Sequence, residues 1–307
     1  SYSWWGAWLG LNKKKIVLDA GNSGTFARLI LGLLVKSPHY IKLIGDKSLS
    51  KRDFGRVISP LQKIGASFIT NKKKSLPLQM IGSDFANPII YFENRGSAQC
   101  KSTVMLAALN SRGQTIIKAK KSRDHTENIF KHLGIPIIVK KNKNFDIIKV
   151  KGQKDFKSFK YNIPSDPSSC AFFIVLTLLS KNCELNIKNV NVNPSRIGYI
   201  KILNKMGAKI KLKNLKKKYG EMQADIFVKS QPTLKKINCP PSLNSSLIDE
   251  FLIIFLAAAK AKGVSSFSNL GELDKKESPR LKLGSKLLNQ LGIKTKLIND
   301  SIKIYGN

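Results

Sequence analysis

The chain has 307 residues, and its 54 lysines and arginines against 19 aspartates and glutamates give a formal net charge of +35. Hydrophobic residues make up 42% of the chain, which is enough to bury a sizeable core and excludes a disordered polypeptide. The four cysteines are far apart and only three histidines occur, which argues against a disulfide framework and a zinc site. We therefore expect a cytoplasmic protein in a reducing compartment, with no bound metal.

The basic residues are mostly lysines, 46 against 8 arginines, and they are spread along the whole chain. A protein that reads nucleic acid usually clusters arginines for bidentate contacts and aromatic residues for stacking. We interpret the lysines as a solvated surface that reflects compositional bias. A polyanion-binding face and an electric field that steers small anionic substrates remain alternatives.

The start of the chain is apolar. Residues 1–11 carry all three tryptophans but lack the basic segment and cleavage site of a signal peptide. No segment has the length of apolar sequence that a membrane span needs. Because the chain begins at Ser1 inside a predicted strand, we expect a piece of a longer protein.

One pattern of elements recurs about four times along the chain. In each repeat a cluster of polar residues opens a very apolar helix, and the clusters are Asn22–Thr25, Ser97–Gln99, Asp166–Ser169 and Leu247–Glu250. Further along, an amphipathic helix stops at a glycine, which is Gly65, Gly134, Gly207 or Gly292. With the β-rich runs between them, each unit is predicted as strand–helix–strand–helix–strand–strand.

This pattern predicts an α/β protein built from repeated units, without the glycine-rich sequence of a nucleotide-binding fold. We expect the first helix of each unit to be buried on all sides and the second to cover it. We also predict two domains, residues 1–193 and 194–307.

Several of the polar clusters could bind anions, because the free N–H groups and the dipole of a helix N-terminus favour negative charge. Gly21–Thr25 with Arg28, and Ser97–Lys101, have this form, but both could be ordinary helix caps. The run Ser122–Glu127 has the same two interpretations, since Asp124 and Glu127 have the spacing of a capping box.

Two clusters late in the chain carry carboxylates. Asp249 and Glu250 open an apolar helix, where a carboxylate can cap the helix or, buried near cations, act as a general base. The run Lys275–Arg280 could bind a ligand, or be a solvated turn with Ser278 as cap and Pro279 as first helical residue.

Taken together and in this order, the motifs resemble those of the 5-enolpyruvylshikimate-3-phosphate synthase family over nearly the whole chain. The matching segments are Gly21–Thr25 with Arg28, Gly45–Arg52, Ser97–Ser102, Ser122–Glu127, Asp166–Ser169, Ile248–Glu250 and Lys276–Arg280. The resemblance implies an enolpyruvyl transferase fold, with βαβαββ units in two domains that close on a cleft. It also implies transfer of the enolpyruvyl group of phosphoenolpyruvate to the 5-hydroxyl of shikimate 3-phosphate, with no cofactor.

The resemblance also implies roles for individual residues. It implies that the residues around shikimate 3-phosphate are Ser97, Ala98, Gln99, Ser122 and Arg123. Those around phosphoenolpyruvate would be Asn22, Gly24, Thr25, Arg52 and Arg280. Asp249 would take the proton of the 5-hydroxyl, Lys276 would bind near that hydroxyl, and Glu277 would transfer a proton at the enol carbon.

The chain departs from the family pattern in three places and at both ends. Asp53 replaces a proline after Arg52, Pro279 replaces an aspartate before Arg280, and Ser165 replaces a glycine. Asp53 bears most on the role of Arg52, because a neighbouring carboxylate could pair with its guanidinium. The family's N-terminal Lys-Ser and Arg motif would come before residue 1 and its late Asp-His-Arg motif after Asn307, so we expect the chain to be inactive on its own.

Two alternatives to this synthase remain. One is the sister enolpyruvyl transferase that acts on UDP-N-acetylglucosamine, and the other is a non-catalytic relative that binds polyanions through the +35 charge. For the synthase, the expected partners are its two substrates, and we expect a monomer that binds no specific nucleic acid and no membrane.

Overall fold

The structure of the protein is a computed structural model, which describes residues 14–152, 158–231, 233–274 and 278–307. The chain divides into two compact units, Ser1–Ser158 and Phe159–Asn307.

The first unit contains two successive modules of the same kind. The first module comprises β1 (Lys15–Asp19), α1 (Gly24–Leu33), β2 (Tyr40–Ile44), α2 (Gly55–Ile64), β3 (Ser67–Ile69) and β4 (Leu78–Ile81), with a 3-10 turn at Leu49–Lys51. The second comprises β5 (Ile90–Glu93), α3 (Ala98–Ala108), β6 (Gln114–Lys120), α4 (His125–His132), β7 (Ile137–Lys141) and β8 (Phe145–Lys151).

The second unit contains two more modules. The earlier one comprises α5 (Pro167–Leu179), β9 (Glu184–Asn191), α6 (Gly198–Lys205), β10 (Lys211–Lys218) and β11 (Glu221–Lys229). The later one comprises β12 (Leu234–Lys235), a 3-10 turn at Pro241–Ser246, α7 (Phe251–Ala259), β13 (Ala261–Phe267), α8 (Arg280–Gln290), β14 (Thr295–Ile298) and β15 (Ser301–Gly306).

The four sheets repeat one topology. Their strand orders are β1-β2-β4-β3, β5-β6-β8-β7, β12-β13-β15-β14 and β10-β11-β9. In three of them the first two strands pair in parallel and the remaining pairs are antiparallel. The fourth completes the pattern through a parallel bridge from Ser165 to Val190 beside the antiparallel β9 and β11. The predicted fold class of repeated strand–helix–strand–helix–strand–strand units is therefore confirmed.

The boundary between the compact units lies before the predicted domain boundary at residue 193. Residues 159–193 belong to the second unit, because β9 pairs with β11 and α5 packs against α7. The division into domains of residues 1–193 and 194–307 stays a prediction.

The expectation of burial on all sides is not met by α1, α5 and α7, each of which leaves large apolar side chains exposed, and α5 departs from it most. Helix α5 packs against β9, β11 and α7, and its opposite side leaves Phe172, Phe173 and Leu176 between 54% and 64% exposed. Because residues 170–176 of α5 form an unbroken apolar run, hydropathy alone could not distinguish the side that packs from the side that does not.

Strand β10 differs from the other strands in its burial. All eight of its residues are exposed, including five lysines, and it lies at the end of the sheet order β10-β11-β9. Its neighbour β11 alternates between more and less buried residues, as expected for a strand with one face on the core. The third module thus presents a lysine-rich strand at one side of its sheet.

Helices α1 and α3 lie in close contact in the first unit. A methyl group added at Gly32 would lie 2.3 Å from the backbone oxygen of Thr103, so only glycine fits there. The Thr103 hydroxyl also donates to the backbone oxygens of Arg28 at 3.1 Å and Gln99 at 2.8 Å. These contacts hold α1 against α3, and the two helices carry several of the predicted site residues at their N-termini.

None of the helices in the described ranges is long and apolar enough to cross a membrane.

Candidate active site

In the first unit, the predicted residues Thr25 and Gln99 contact each other. The Gln99 side-chain amide donates to the Thr25 hydroxyl at 2.8 Å and accepts from the Arg28 guanidinium at 2.7 Å. These two bonds determine which end of the amide is nitrogen and which is oxygen. The orientation of Gln99 is therefore set by helix α1.

Arg28, which belongs to the predicted anion-binding motif but was assigned no substrate, is a central residue. It is 7% exposed, its guanidinium lies 5.1 Å from the centre of the Phe54 ring, and it donates to the Asp53 backbone oxygen at 3.4 Å. Burial lowers the pKa of Arg28, and the positive charge of Arg52 lowers it further. The sequence signal was an arginine inside an otherwise apolar helix, which could equally have lain on the surface.

Gly24, the first residue of α1, leaves room for two guanidinium groups. A methyl group at this position would lie 2.6 Å from Nη1 of Arg52 and 3.0 Å from Nη1 of Arg28. The helix N-terminus adds its own partial positive charge. The two guanidinium groups thus lie beside the N-terminus of α1, and this concentration of positive charge favours binding of an anion.

Asp53, which replaces the family's proline, has a structural role at the start of α2. Its carboxylate accepts from the backbone N–H of Gly55 at 2.7 Å. Asp53 therefore satisfies one of the N–H groups that begin the helix, in the manner of a cap.

Asn22 contacts a second loop. Its amide donates to the carboxylate of Asp46, which also accepts from the backbone N–H of Leu49 at 2.7 Å. The hydrogen bond from Leu49 and then that from Asn22 lower the pKa of Asp46. Asn22 therefore joins the loop before α1 to the loop after β2.

The start of α3 is a helix cap. The Ser97 hydroxyl accepts from the N–H of Cys100 at 3.3 Å, and the Ser97 N–H donates to the buried carboxylate of Glu93 at 2.9 Å. Ala98 is the first helical residue. The capping interpretation of Ser97 is thus correct, and contact with a substrate remains a prediction for Ser97 and Ala98.

The Ser122–Glu127 run does not form the capping box considered for it. The side chain of Asp124 makes no capping hydrogen bond, and Lys141 contacts its carboxylate at 3.2 Å. Glu127 pairs instead with Lys101 at 2.6 Å. The Ser122 hydroxyl is buried and has no hydrogen-bond partner within the part of the chain that the structure describes.

In the second unit, the predicted residues Asp249 and Arg280 form an ion pair. Their side chains are 3.0 Å apart and about a quarter exposed, at 27% and 23%. Asp249 lies two residues before the start of α7, and Arg280 begins α8. Lys276 and Glu277 lie outside the described residues.

Helix α8 does not begin with Ser278 as its cap and Pro279 as its first residue, as the solvated-turn interpretation predicted. The residue before its first turn is Pro279, not Ser278. The Asp274 carboxylate accepts from the Leu281 N–H at 2.9 Å, and so satisfies one of the helix's first N–H groups.

A polar network surrounds the start of α5. Arg196 donates to Asp166 at 2.8 Å and to the Ser168 hydroxyl at 2.9 Å, and Ser168 donates to Glu250. Asp166 also accepts from the N–H and hydroxyl of Ser169. The network connects the cap of α5 to the residue next to Asp249.

Asp166→Ala should lower the free energy of unfolding by about 0.5–2 kcal/mol at pH 7, the usual cost of losing a helix cap. Burial raises the pKa of Asp166, but hydrogen bonds from Ser169 and the charge of Arg196 outweigh burial and lower it overall. The stabilisation by the Asp166 carboxylate is therefore complete above the pKa of an aspartate in the unfolded chain. It is lost as pH falls through the lowered pKa of Asp166 in the folded state.

Urea unfolding of both proteins at pH 7 and near pH 3 measures this effect. The difference between wild type and variant should shrink at the lower pH. A difference of the same size at both pH values would show that the Asp166 charge does not contribute. Ser169→Ala is the matched control, because it keeps the backbone N–H that Asp166 caps.

No group of three or more His, Cys, Asp or Glu side chains that could hold a metal ion occurs in the described ranges. The four cysteines are free, and three of them are buried.

Comparison with known proteins shows extensive similarity. The family described as EPSP synthase (3-phosphoshikimate 1-carboxyvinyltransferase) matches residues 8–307. A 3-phosphoshikimate 1-carboxyvinyltransferase of Ruthia magnifica subsp. Calyptogena magnifica is 44% identical over 298 residues, which cover 97% of this chain and 67% of that protein.

Two solved structures have the same fold. EPSP synthase from Acinetobacter baumannii superposes with a TM-score of 0.82 at 35% identity, over 95% of this chain and 65% of that one. The enolpyruvyl transferase NikO from Streptomyces tendae gives a TM-score of 0.64 at 13% identity, over 84% and 59% of the two chains, which shows a shared fold. This chain spans about two thirds of the length of these two EPSP synthase relatives, 67% and 65%. The matched residues and the shared topology show that the chain belongs to the EPSP synthase (3-phosphoshikimate 1-carboxyvinyltransferase) family.

Proposed function

We propose that this protein, at full length, transfers the enolpyruvyl group of phosphoenolpyruvate to the 5-hydroxyl of shikimate 3-phosphate. The products are 5-enolpyruvylshikimate 3-phosphate and inorganic phosphate. Family membership supports this reaction, and the contact of Arg28 with Gln99, beside Arg52 and Gly24, is the observation that supports it most. Both substrates are multiply charged anions, which arginine and lysine bind through charge-assisted hydrogen bonds.

In this proposal the reaction passes through a tetrahedral intermediate. A proton is added at the methylene carbon of phosphoenolpyruvate as the 5-hydroxyl oxygen bonds to the neighbouring carbon and loses its own proton to Asp249. A proton then leaves the new methyl group, the bond to the phosphate oxygen breaks, and the vinyl ether remains. Glu277 is assigned to the proton transfers at carbon, and Lys276 to the substrate near the 5-hydroxyl.

We assign the phosphate of shikimate 3-phosphate to Ser97, Ser122 and Arg123, and its ring to Ala98 and Gln99. The buried Ser122 hydroxyl supports this, because a buried polar atom normally has a hydrogen-bond partner. A phosphate oxygen would supply an acceptor for it.

We assign phosphoenolpyruvate to Asn22, Gly24, Thr25, Arg52 and Arg280. The two guanidinium groups at the N-terminus of α1 support the first four. The pairing of Arg280 with Asp249 supports the fifth, since a guanidinium that holds one carboxylate can hold another.

The acceptor substrate distinguishes this reaction from that of the sister transferase. With phosphoenolpyruvate present, the full-length protein should release phosphate when shikimate 3-phosphate is added and not when UDP-N-acetylglucosamine is added. Release with only the sugar nucleotide would contradict the proposal. No release with either acceptor, together with binding of polyanions, would favour the non-catalytic relative.

We further propose that the protein acts as a monomer in the cytoplasm and binds no specific nucleic acid or membrane. The free cysteines suit a reducing compartment, and the lysines are spread along the chain instead of clustered with arginines.

Gly24→Ala should raise the KM for phosphoenolpyruvate about 10-fold or more, which corresponds to the loss of one charge-assisted hydrogen bond. The added methyl group would displace the Arg52 guanidinium, which lies 2.6 Å from its position. Steady-state kinetics with each substrate varied in turn measure the effect, and the KM for shikimate 3-phosphate should change less.

Gly271→Ala is the control for this prediction, because a methyl group there meets its nearest atom at an ordinary 3.6 Å. An unchanged KM for phosphoenolpyruvate in Gly24→Ala would remove Arg52 and Gly24 from the proposed binding site.

A further inference from the structure

Lys101 and Glu127 form a deeply buried ion pair in the first unit. Their side chains are 1% and 3% exposed, and Nζ of Lys101 lies 2.6 Å from Oε1 of Glu127. Burial raises the pKa of Glu127 despite the nearby ammonium group. Its other carboxylate oxygen has no hydrogen-bond partner in the described ranges. A pair of this kind is costly to bury, and apolar residues of similar size often give equal or greater stability.

Lys101 also contacts a predicted substrate-binding loop. Its ammonium group donates to the backbone oxygen of Arg123 at 2.9 Å. Lys101 belongs to α3, two residues after Gln99, and Glu127 belongs to α4. The buried lysine therefore joins the helix that carries Gln99 to the backbone that carries Arg123.

A second polar contact links the same two helices without reaching this loop. The hydroxyls of Ser102 and Thr126 are 2.6 Å apart. If the polar contacts served only to hold α3 against α4, removing this bond and removing the ion pair would affect substrate binding in the same way. Of these two contacts between α3 and α4, the ion pair is the one whose lysine also bonds to the loop at Arg123, so their effects on substrate binding can be separated by experiment.

We propose that Lys101, held by Glu127, is a positioning residue that fixes the Arg123 backbone and so aims Ser122 and Arg123 at the phosphate of shikimate 3-phosphate. This inference rests on the proposed function. It gives the pair a role in substrate selection, because a misplaced loop loses contacts to the phosphate and not to the ring.

The test separates positioning from stability by replacing both charges at once. In the full-length protein, Lys101→Met with Glu127→Leu removes the ion pair and leaves neither charge buried alone. Ser102→Ala with Thr126→Val is the matched control, and Arg123→Ala is the reference for loss of the phosphate contact. Shikimate 3-phosphate and shikimate are titrated into each protein by calorimetry, and thermal unfolding is recorded.

The Lys101/Glu127 double variant should melt no lower than wild type but bind shikimate 3-phosphate about 10-fold more weakly, as expected when a charge-assisted contact is lost. Its affinity for shikimate, which lacks the phosphate, should stay within about 2-fold. The Ser102/Thr126 control should keep both affinities. Lys101→Arg, which keeps the charge and the donors, should bind shikimate 3-phosphate more tightly than the double variant.

The ratio of the two affinities decides the outcome even if the double variant is less stable, since both ligands are titrated into the same folded protein. An unchanged ratio, whether both affinities hold or both fall together, would overturn the positioning role. Failure of the wild type to bind shikimate 3-phosphate would overturn the proposed function, and this inference with it.

Discussion

Asp249→Ala should lower turnover by about 10²–10⁴-fold in the full-length protein, which is the usual contribution of a general base. Affinity for shikimate 3-phosphate should change little, because the proposed partner of Asp249 is a hydroxyl of that substrate and not its phosphate. Affinity for phosphoenolpyruvate should not fall, since removal of Asp249 leaves Arg280 without the carboxylate that lies 3.0 Å away. Steady-state kinetics combined with direct binding titrations measure all three quantities.

Arg123→Ala is the contrasting variant, and it should lose affinity for shikimate 3-phosphate while the bound substrate still turns over. An arginine–phosphate pair contributes to binding of the ground state as well as the transition state. Asp249→Asn should behave like Asp249→Ala, because an amide cannot accept the proton. Equal losses of affinity in the variants at 123 and 249, with turnover intact, would show that Asp249 only pairs with Arg280.

Gly32→Ala should lower the free energy of unfolding by about 1–3 kcal/mol, the usual cost of adding a methyl group to a tightly packed site. The new methyl group would lie 2.3 Å from the backbone oxygen of Thr103, and backbone cannot move aside as a side chain can. Separation of the two helices should also weaken the contact between Gln99 and Thr25. Urea unfolding and the KM of both substrates measure these effects.

Gly284→Ala provides the comparison for this prediction. A methyl group there would lie 2.8 Å from the end of the Leu252 side chain, which is flexible and can rotate away. We therefore expect a smaller loss of stability and no change in either KM. Equal losses in the two variants would show that the α1–α3 contact is not as restrictive as its geometry indicates.

Local features of the fold could be predicted because their causes are local. The four helix-ending glycines, Gly65, Gly134, Gly207 and Gly292, all have positive φ, as expected for residues that stop a helix. The polar clusters that open helices were also recognisable, because Ser23, Ser97 and Asp166 cap through N–H groups three residues ahead. The repeated unit follows from these signals taken together.

The residues that arrange the candidate site could not be predicted in the same way. Lys101 pairs with a residue 26 positions away, Asp249 with one 31 positions away, and Arg28 with one 71 positions away. Nothing in a local window identifies such a partner, so Asp124 and Glu127 were open to interpretation as a capping box. The resemblance to a family supplied the residues that we propose to contact the substrates, but not the residues that position them.

The exposed strand β10 has a consequence for how copies of this protein meet one another. The outermost strand of a sheet presents free backbone donors and acceptors, onto which a strand of a second molecule can add to start aggregation. Five lysines on β10 would be brought against the same five lysines of another copy if the two strands met. The repulsion should keep the protein dispersed at low ionic strength, and high salt should weaken it. Some of the lysine excess can therefore serve solubility without binding any partner.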